Sequence, residues 1–322
     1  MSRFTLDADA LRCNLGLALE WAPAGARVRA MVKANAYGHG LEELVPVLAE
    51  NAEDFGVATL DEGLDLRSWL DDDSPLYLVS GAKDWSHRDY LEAVREARLI
   101  PAVSSLEELR SLQDRVAGTE RMQIELKVDT GMGRLGIQER DLPDVVSVLR
   151  SSDHLQVVGL MTHYASSDEE DLAPTMDQDT CFRRIVSSLP DDLVQGASIH
   201  SCNSGALMRR CLGQTDIAQC TTVVRPGVML YGAGPSRWLH ETPAGDRLKP
   251  VGRWTTRVIE EGVTPESAST RSTASRTLRS GASGEVSCFA TWRRPSPRVR
   301  TTSVKVPPMS APRTQASLTR TP

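Results

Sequence analysis

Lys33 closes an apolar run, Val28-Arg29-Ala30-Met31-Val32, and is followed by Ala34-Asn35-Ala36-Tyr37-Gly38-His39-Gly40. An ammonium at the end of a buried strand is costly unless it is paired or neutralised. Desolvation lowers a lysine's pKa and leaves a nucleophilic amine, the form that makes Schiff bases with carbonyl compounds such as pyridoxal phosphate. The plainer alternative is a snorkelling or salt-bridged lysine. Further along the chain, Asp129 with the following Thr130–Arg134, then His163, Ser201–Ser204 and Arg225-Pro226-Gly227 also stand at the ends of apolar runs. Each has an ordinary reading when taken alone: a loop arginine for Arg134, a structural histidine for His163, a simple turn for Arg225-Pro226-Gly227.

The elements that must position these residues are legible as alternation. Strand-like runs occur at Val28–Lys33, Phe55–Thr59, Leu76–Ser80, Leu99–Ser104, Met122–Asp129, Gln156–His163, Ala197–His200 and Thr221–Arg225. Between them lie segments of helical spacing, such as Leu41–Leu48 and Leu106–Leu112, the latter preceded by Ser104 and Ser105 as helix-capping residues. Strands separated by helices imply a parallel sheet. Eight of them is the number for a (β/α)8 TIM-like barrel, with a doubly wound sheet as the rival. A barrel carries its chemistry at the C-terminal ends of its strands, and all the polar residues named above fall there.

The chain has 322 residues and a net charge of −6, which conceals an asymmetry. Residues 263–322 hold nine Arg and one Lys against two Glu, so the first 262 residues carry −14. An acidic body argues against a nucleic-acid partner. No apolar run reaches the roughly 18 residues of a membrane span, and the N-terminus has no signal-peptide pattern. The six cysteines form no Cys-x-x-Cys pair, so neither a metal site nor a disulfide framework is expected, and a cytoplasmic setting with reduced thiols is.

Val32–Gly40 resembles the cofactor-lysine motif of the alanine racemases, which are fold-type III pyridoxal phosphate enzymes. Lys127-Val128-Asp129-Thr130-Gly131-Met132-Gly133-Arg134-Leu135-Gly136, Met161-Thr162-His163-Tyr164, Asn203-Ser204 and Arg225–Gly232 are similar to further motifs of that family, in its order. The resemblance implies a racemase interconverting L- and D-alanine for peptidoglycan precursors. Lys33 would carry pyridoxal 5'-phosphate and act as the base on the D-side. Tyr37, Asn203, Ser204 and the backbone N–H groups of Gly227 and Val228 would bind the cofactor and its phosphate. Arg225 would face the pyridine nitrogen; as a permanent donor it would leave that nitrogen unprotonated and the ring a weaker electron sink. His163 would pack against the ring. Arg134 would bond the cofactor's phenolic oxygen or the substrate carboxylate, steadied in some family members by a carbamylated lysine at the position of Lys127. A homodimer is implied as well.

The pattern breaks after residue 262. The family's second base is a tyrosine from a C-terminal β-domain, yet no tyrosine follows Tyr231 here. The sequence divides into a barrel over 1–235, the start of a C-terminal β-domain over 236–262 (with a strand within Leu248–Glu261), and a segment 263–322. In that last segment 37 of 60 residues are Ser, Thr, Arg or Pro, too few apolar groups to offset chain entropy, so disorder is expected. The bias is that of an out-of-frame reading of a GC-rich gene, or of a genuine basic tail. Impaired activity is the corresponding expectation. The alternatives are a broader-specificity amino-acid racemase, a barrel decarboxylase, which would want an acidic partner for the ring nitrogen, and a non-catalytic pyridoxal phosphate carrier.

Overall fold

In a computed structural model, residues 3–71, 73–79, 85–257 and 285–288 are described. A short strand, β1 (Arg3–Leu6), precedes a helix, Ala8–Trp21, that Asp7 caps by accepting from the Ala10 N–H. Eight strands follow: β2 (Arg27–Met31), β3 (Asp54–Val57), β4 (Leu76–Leu78), β5 (Leu99–Val103), β6 (Met122–Lys127), β7 (Leu155–Met161), β8 (Ser198–His200) and β9 (Val223–Val224). They pair in parallel in the order β9-β2-β3-β4-β5-β6-β7-β8. The ring closes where the Thr222 N–H donates to Ile199 O (2.7 Å) and the Arg225 N–H to Cys202 O (2.8 Å). This is the (β/α)8 barrel that the alternation implies; the doubly wound sheet is excluded by the closure.

Every strand read from the sequence is present, but the strands stop before the polar residues. Asp129 shows why. Its carboxylate accepts from the N–H groups of Gly131, Met132 and Gly133 (2.9–3.1 Å), so the chain curls into a loop instead of continuing the ladder. Outer helices bury one face each. Leu41–Ala49 turns Leu41, Leu44, Val45 and Leu48 inward. Leu106–Val116 starts at Ser105, whose hydroxyl accepts from the Glu108 N–H while the Glu108 carboxylate accepts from the Ser104 N–H. Among the described residues no helix is long and apolar enough to cross a membrane.

A second, antiparallel sheet joins the two ends of the described chain. Strand β10 (Gly252–Arg257) pairs with β1 and with β11 (Glu285–Cys288). The segment leading into β10 is tied to the barrel by Asn14, whose side-chain N–H groups donate to Leu230 O and Lys249 O. Strand β11 falls inside 263–322, where composition gives no reason to expect one. Its residues, Glu285-Val286-Ser287-Cys288, are a brief interruption of the Ser/Thr/Arg/Pro bias. The expectation of disorder for the rest of that segment lies outside the described residues.

Candidate active site at the C-terminal mouth of the barrel

Lys33 leaves β2 into an unusual turn. Ala34, Asn35, Ala36 and Tyr37 all lie in the left-handed helical region, with φ between 52° and 54°. For L-residues this conformation costs roughly 1–2 kcal/mol each, so four in succession must be held by their surroundings. Glu62 does much of this. Its carboxylate accepts from the N–H groups of Ala34 and Ala58, both at 2.7 Å, while its own N–H is capped by Thr59. Asn35 Oδ1 accepts from the Leu41 N–H at 2.7 Å, binding the far end of the turn. Lys33 and Tyr37 are thereby set side by side, the ammonium 5.9 Å from the ring centre.

Among the described residues nothing accepts a hydrogen bond from Lys33 Nζ. Burial, and then the neighbouring Arg134 guanidinium, lower its pKa below the ordinary lysine value against a weaker pull from Glu62. The amine is therefore more readily unprotonated than a surface lysine, the condition for a nucleophile or base.

Opposite the turn, Ser204 opens the helix Ser204–Cys211, and its Oγ accepts from the Gly227 N–H at 2.9 Å. Tyr37 Oη lies so close to Gly227 that a Cβ there would overlap it. A phenol, a serine hydroxyl and a glycine backbone thus meet beside a helix start, a constellation suited to a phosphate-sized anion. Val228 follows in the short helical turn Val228–Tyr231. Asn203 serves the scaffold: Oδ1 accepts from Ser167 Oγ and the Ala206 N–H, and Nδ2 donates to Tyr164 O. Its contribution is to seat the helix that carries Ser204.

Arg225 is buried. Nη2 donates to Thr162 O at 2.7 Å and Nη1 to His200 Nδ1 at 2.8 Å. Burial lowers its pKa to about 10, which leaves it a cation at neutral pH. His163 lies among Arg225, Lys127, Arg134 and Lys33. Burial first, and then those four cations, push its pKa down to about 3, so it is a neutral imidazole. Arg134 stands exposed on the loop that Asp129 organises, near enough to influence both Lys33 and His163. The sequence-expected residues therefore gather at one mouth, with Asn203 one layer behind.

Sequence reasoning missed a buried ladder beneath Arg225. His200 Nε2 meets Glu125 Oε1 at 2.9 Å, the same carboxylate accepts from Arg29 at 2.9 Å, and Arg29 reaches Asp54 at 3.4 Å. All four side chains are fully buried. The available signal was a charge at an inward position of a barrel strand, as in Arg27-Val28-Arg29-Ala30-Met31 and Met122-Gln123-Ile124-Glu125-Leu126-Lys127.

Residues 6–235 match the family described as alanine racemase, N-terminal domain. An alanine racemase of Corynebacterium efficiens is 34% identical over 252 residues, covering 77% of this chain and 64% of that protein. A lysine racemase of Oenococcus oeni is 36% identical over 228 residues, covering 68% of this chain and 56% of the relative. The crystal structure of alanine racemase from Corynebacterium glutamicum superposes with a TM-score of 0.66 at 30% identity, covering 80% of this chain and 68% of that one. The chain thus spans less than two thirds of the length of these two curated relatives. With the barrel, the lysine turn and the matched span in agreement, the chain belongs to the alanine racemase family through its N-terminal domain.

Proposed function

We propose that this chain is the cofactor-binding barrel of a pyridoxal phosphate-dependent amino-acid racemase whose substrate is alanine. The observation that carries the reading is the partly buried Lys33 amine, without a hydrogen-bond acceptor among the described residues, beside the Tyr37–Ser204–Gly227 cradle. An aldehyde-bearing phosphate ester fits both halves of that arrangement. When bound, pyridoxal phosphate supplies an electron-withdrawing ring that acidifies the α-C–H of an amino acid.

The chain's own residues do the rest. Lys33 Nζ holds the cofactor and takes or returns a proton at the substrate Cα from the D-side. Tyr37 Oη, Ser204 Oγ and the N–H groups of Gly227 and Val228 hold the phosphate. Arg225 would face the ring nitrogen as a donor that does not deliver a proton, which would restrain the ring's electron demand and favour simple proton return. His163, neutral, packs against the ring without adding charge. Arg134 receives the cofactor's phenolic oxygen or the substrate carboxylate. The tyrosine base expected for the opposite face is not among residues 232–322, so the groups placed here act on one face of the substrate. A homodimer is the assembly that goes with this reading. The kinship with a lysine racemase supports a second reading, a racemase of broader side-chain tolerance on the same site.

The test is α-proton exchange in D2O with added pyridoxal phosphate, following D- and L-alanine separately. Exchange from D-alanine and not from L-alanine is expected. Exchange and inversion from both enantiomers would show a second base that residues 232–322 do not supply as a tyrosine. No exchange, together with no Lys33-dependent absorbance change on adding the cofactor, would remove the reading.

A further inference from the structure

We infer that Glu125 is a positioning residue: it fixes the tautomer of His200 and, through it, the seat of the Arg225 guanidinium at the mouth of the barrel. The inference rests on the proposed placement of Arg225 against the cofactor.

A barrel interior is normally filled by layers of apolar side chains drawn from alternate strands. Here Arg29 (β2), Tyr77 (β4), Glu125 (β6) and His200 (β8) come from alternate strands and touch one another in turn. The Arg29 guanidinium lies 3.3 Å from the Tyr77 ring centre, bonds Glu125, and Glu125 bonds His200. The charges alternate from the partly exposed Arg27 through Asp54, Arg29 and Glu125 to neutral His200 and cationic Arg225. The layer is therefore polar throughout and connects directly to the mouth.

Two backbone features make room for Glu125. The β6–β7 register shifts between Ile124, which pairs with Val157, and Glu125, which pairs with Gly159; Val158 is the extra residue of β7, and the shift sets Gly159 opposite Glu125. The residue paired with Glu125 is Gly159, where a Cβ would overlap Glu125 Oε1 and sit 2.9 Å from its Cγ and Cδ. Only the missing side chain lets the carboxylate lie over β7.

The hydrogen-bond logic allows one tautomer. Arg225 can only donate, so His200 Nδ1 must accept, and Nε2–H must donate to Glu125. Burial, outweighing Glu125, holds the imidazole neutral, with a pKa down at about 4. In Glu125→Gln the amide NH2 must face either Arg29 or His200. Against Arg29 it sets donor against donor beside a buried cation, so the amide oxygen stays on Arg29 and the NH2 turns to His200. Against His200 it moves the ring proton to Nδ1, where it opposes the Arg225 N–H.

The experiment uses the full chain labelled with 15N-histidine. His200, assigned by its loss in His200→Asn, is expected to show a protonated Nε2 and a bare Nδ1 without any cofactor present. In Glu125→Gln, and in Gly159→Ala, which keeps the charge and moves it, that signature should be lost. Pyridoxal phosphate affinity should fall at least tenfold in both, while the core variant Leu160→Ala keeps both signature and affinity. A wild-type His200 protonated at Nδ1 overturns the inference, and that measurement needs no variant to fold. So does Glu125→Gln or Gly159→Ala with tautomer and affinity unchanged. Failure of the wild type to bind pyridoxal phosphate would instead remove the functional reading, leaving the tautomer measurement to decide the ladder.

Discussion

Gly227→Ala should uncouple phosphate recognition from the rest of the site. The new Cβ would overlap Tyr37 Oη and lie 3.0 Å from Tyr37 Cζ, so the phenol must leave its place. The Gly227 N–H now meets Ser204 Oγ at 2.9 Å, so any backbone shift that relieves the overlap also disturbs that donor. Hydrogen bonds to a charged group are worth about 1.5–3 kcal/mol each. Losing the phenol and crowding the backbone donor should therefore cost roughly 2–3 kcal/mol, about 30- to 150-fold in Kd. Tyr37 is only half buried and can swing outward, so the fold itself should lose less than about 1.5 kcal/mol. Equilibrium dialysis against pyridoxal phosphate and against pyridoxal, which lacks the phosphate, reads the effect. Affinity for the phosphate ester should drop and that for pyridoxal should stay. An equal fall for both ligands, or none for either, refutes the placement of the phosphate at Gly227.

Lys33→Met should abolish reductive trapping of the cofactor by borohydride, yet raise stability to urea at pH 7. The folded-state pKa of Lys33 is lowered, so the unfolded chain binds more protons below the ordinary lysine value and the wild type is penalised there. The gain should shrink as the pH is raised towards that value and vanish beyond it; a variant less stable at pH 7 would contradict the desolvated amine. His163 and His200, with pKa values of about 3 and about 4, are neutral when folded and charge on unfolding below their ordinary value. Each should therefore remove about 1.4 kcal/mol of stability per pH unit as the pH falls from 6 towards 4, and His200→Asn should lose one histidine's share of that slope in urea titrations. Ala34→Gly should stabilise the chain by up to roughly 1 kcal/mol, because glycine adopts the left-handed conformation without the penalty alanine bears. A destabilised Ala34→Gly, judged by its urea midpoint, would mean that the turn is not held left-handed in solution.

Apolar runs of strand length, bounded by polar residues, place all eight barrel strands within a few residues, because a strand covered on both faces can tolerate little else. Lys33, His163, Ser204 and Arg225 were legible for the same reason, since each interrupts such a run at its end. Strand β1 was not, because Arg3-Phe4-Thr5-Leu6 is short and mostly exposed and its partner lies about 250 residues away. Nor was the left-handed turn: Ala34 and Ala36 are good helix formers, and the hand is reversed chiefly by the distant carboxylate of Glu62. The ladder was hidden by separation. Glu125 meets residues 96 and 75 positions away, so no local window contains the pair.

Stability alone gives no reason to keep that ladder. Ions taken from water into a barrel core regain their hydration only with near-ideal partners, and well-packed apolar residues of similar size do as well or better. The same barrel also builds apolar groupings, such as Met31, Val79, Ala102 and Met161 near the mouth, so the fold does not demand charge. What the polar layer adds is direction. An apolar floor under Arg225 would leave the guanidinium held by Thr162 O alone, free to turn about that bond. His200 supplies the second point, and the carboxylate beneath it decides which ring nitrogen faces up. The bulge and the glycine, both in β7, serve the same end, since together they leave room for Glu125 beside the imidazole. A costly buried layer that ends on the Arg225 guanidinium at the floor of the mouth is therefore better explained by the site above it than by the stability of the barrel around it.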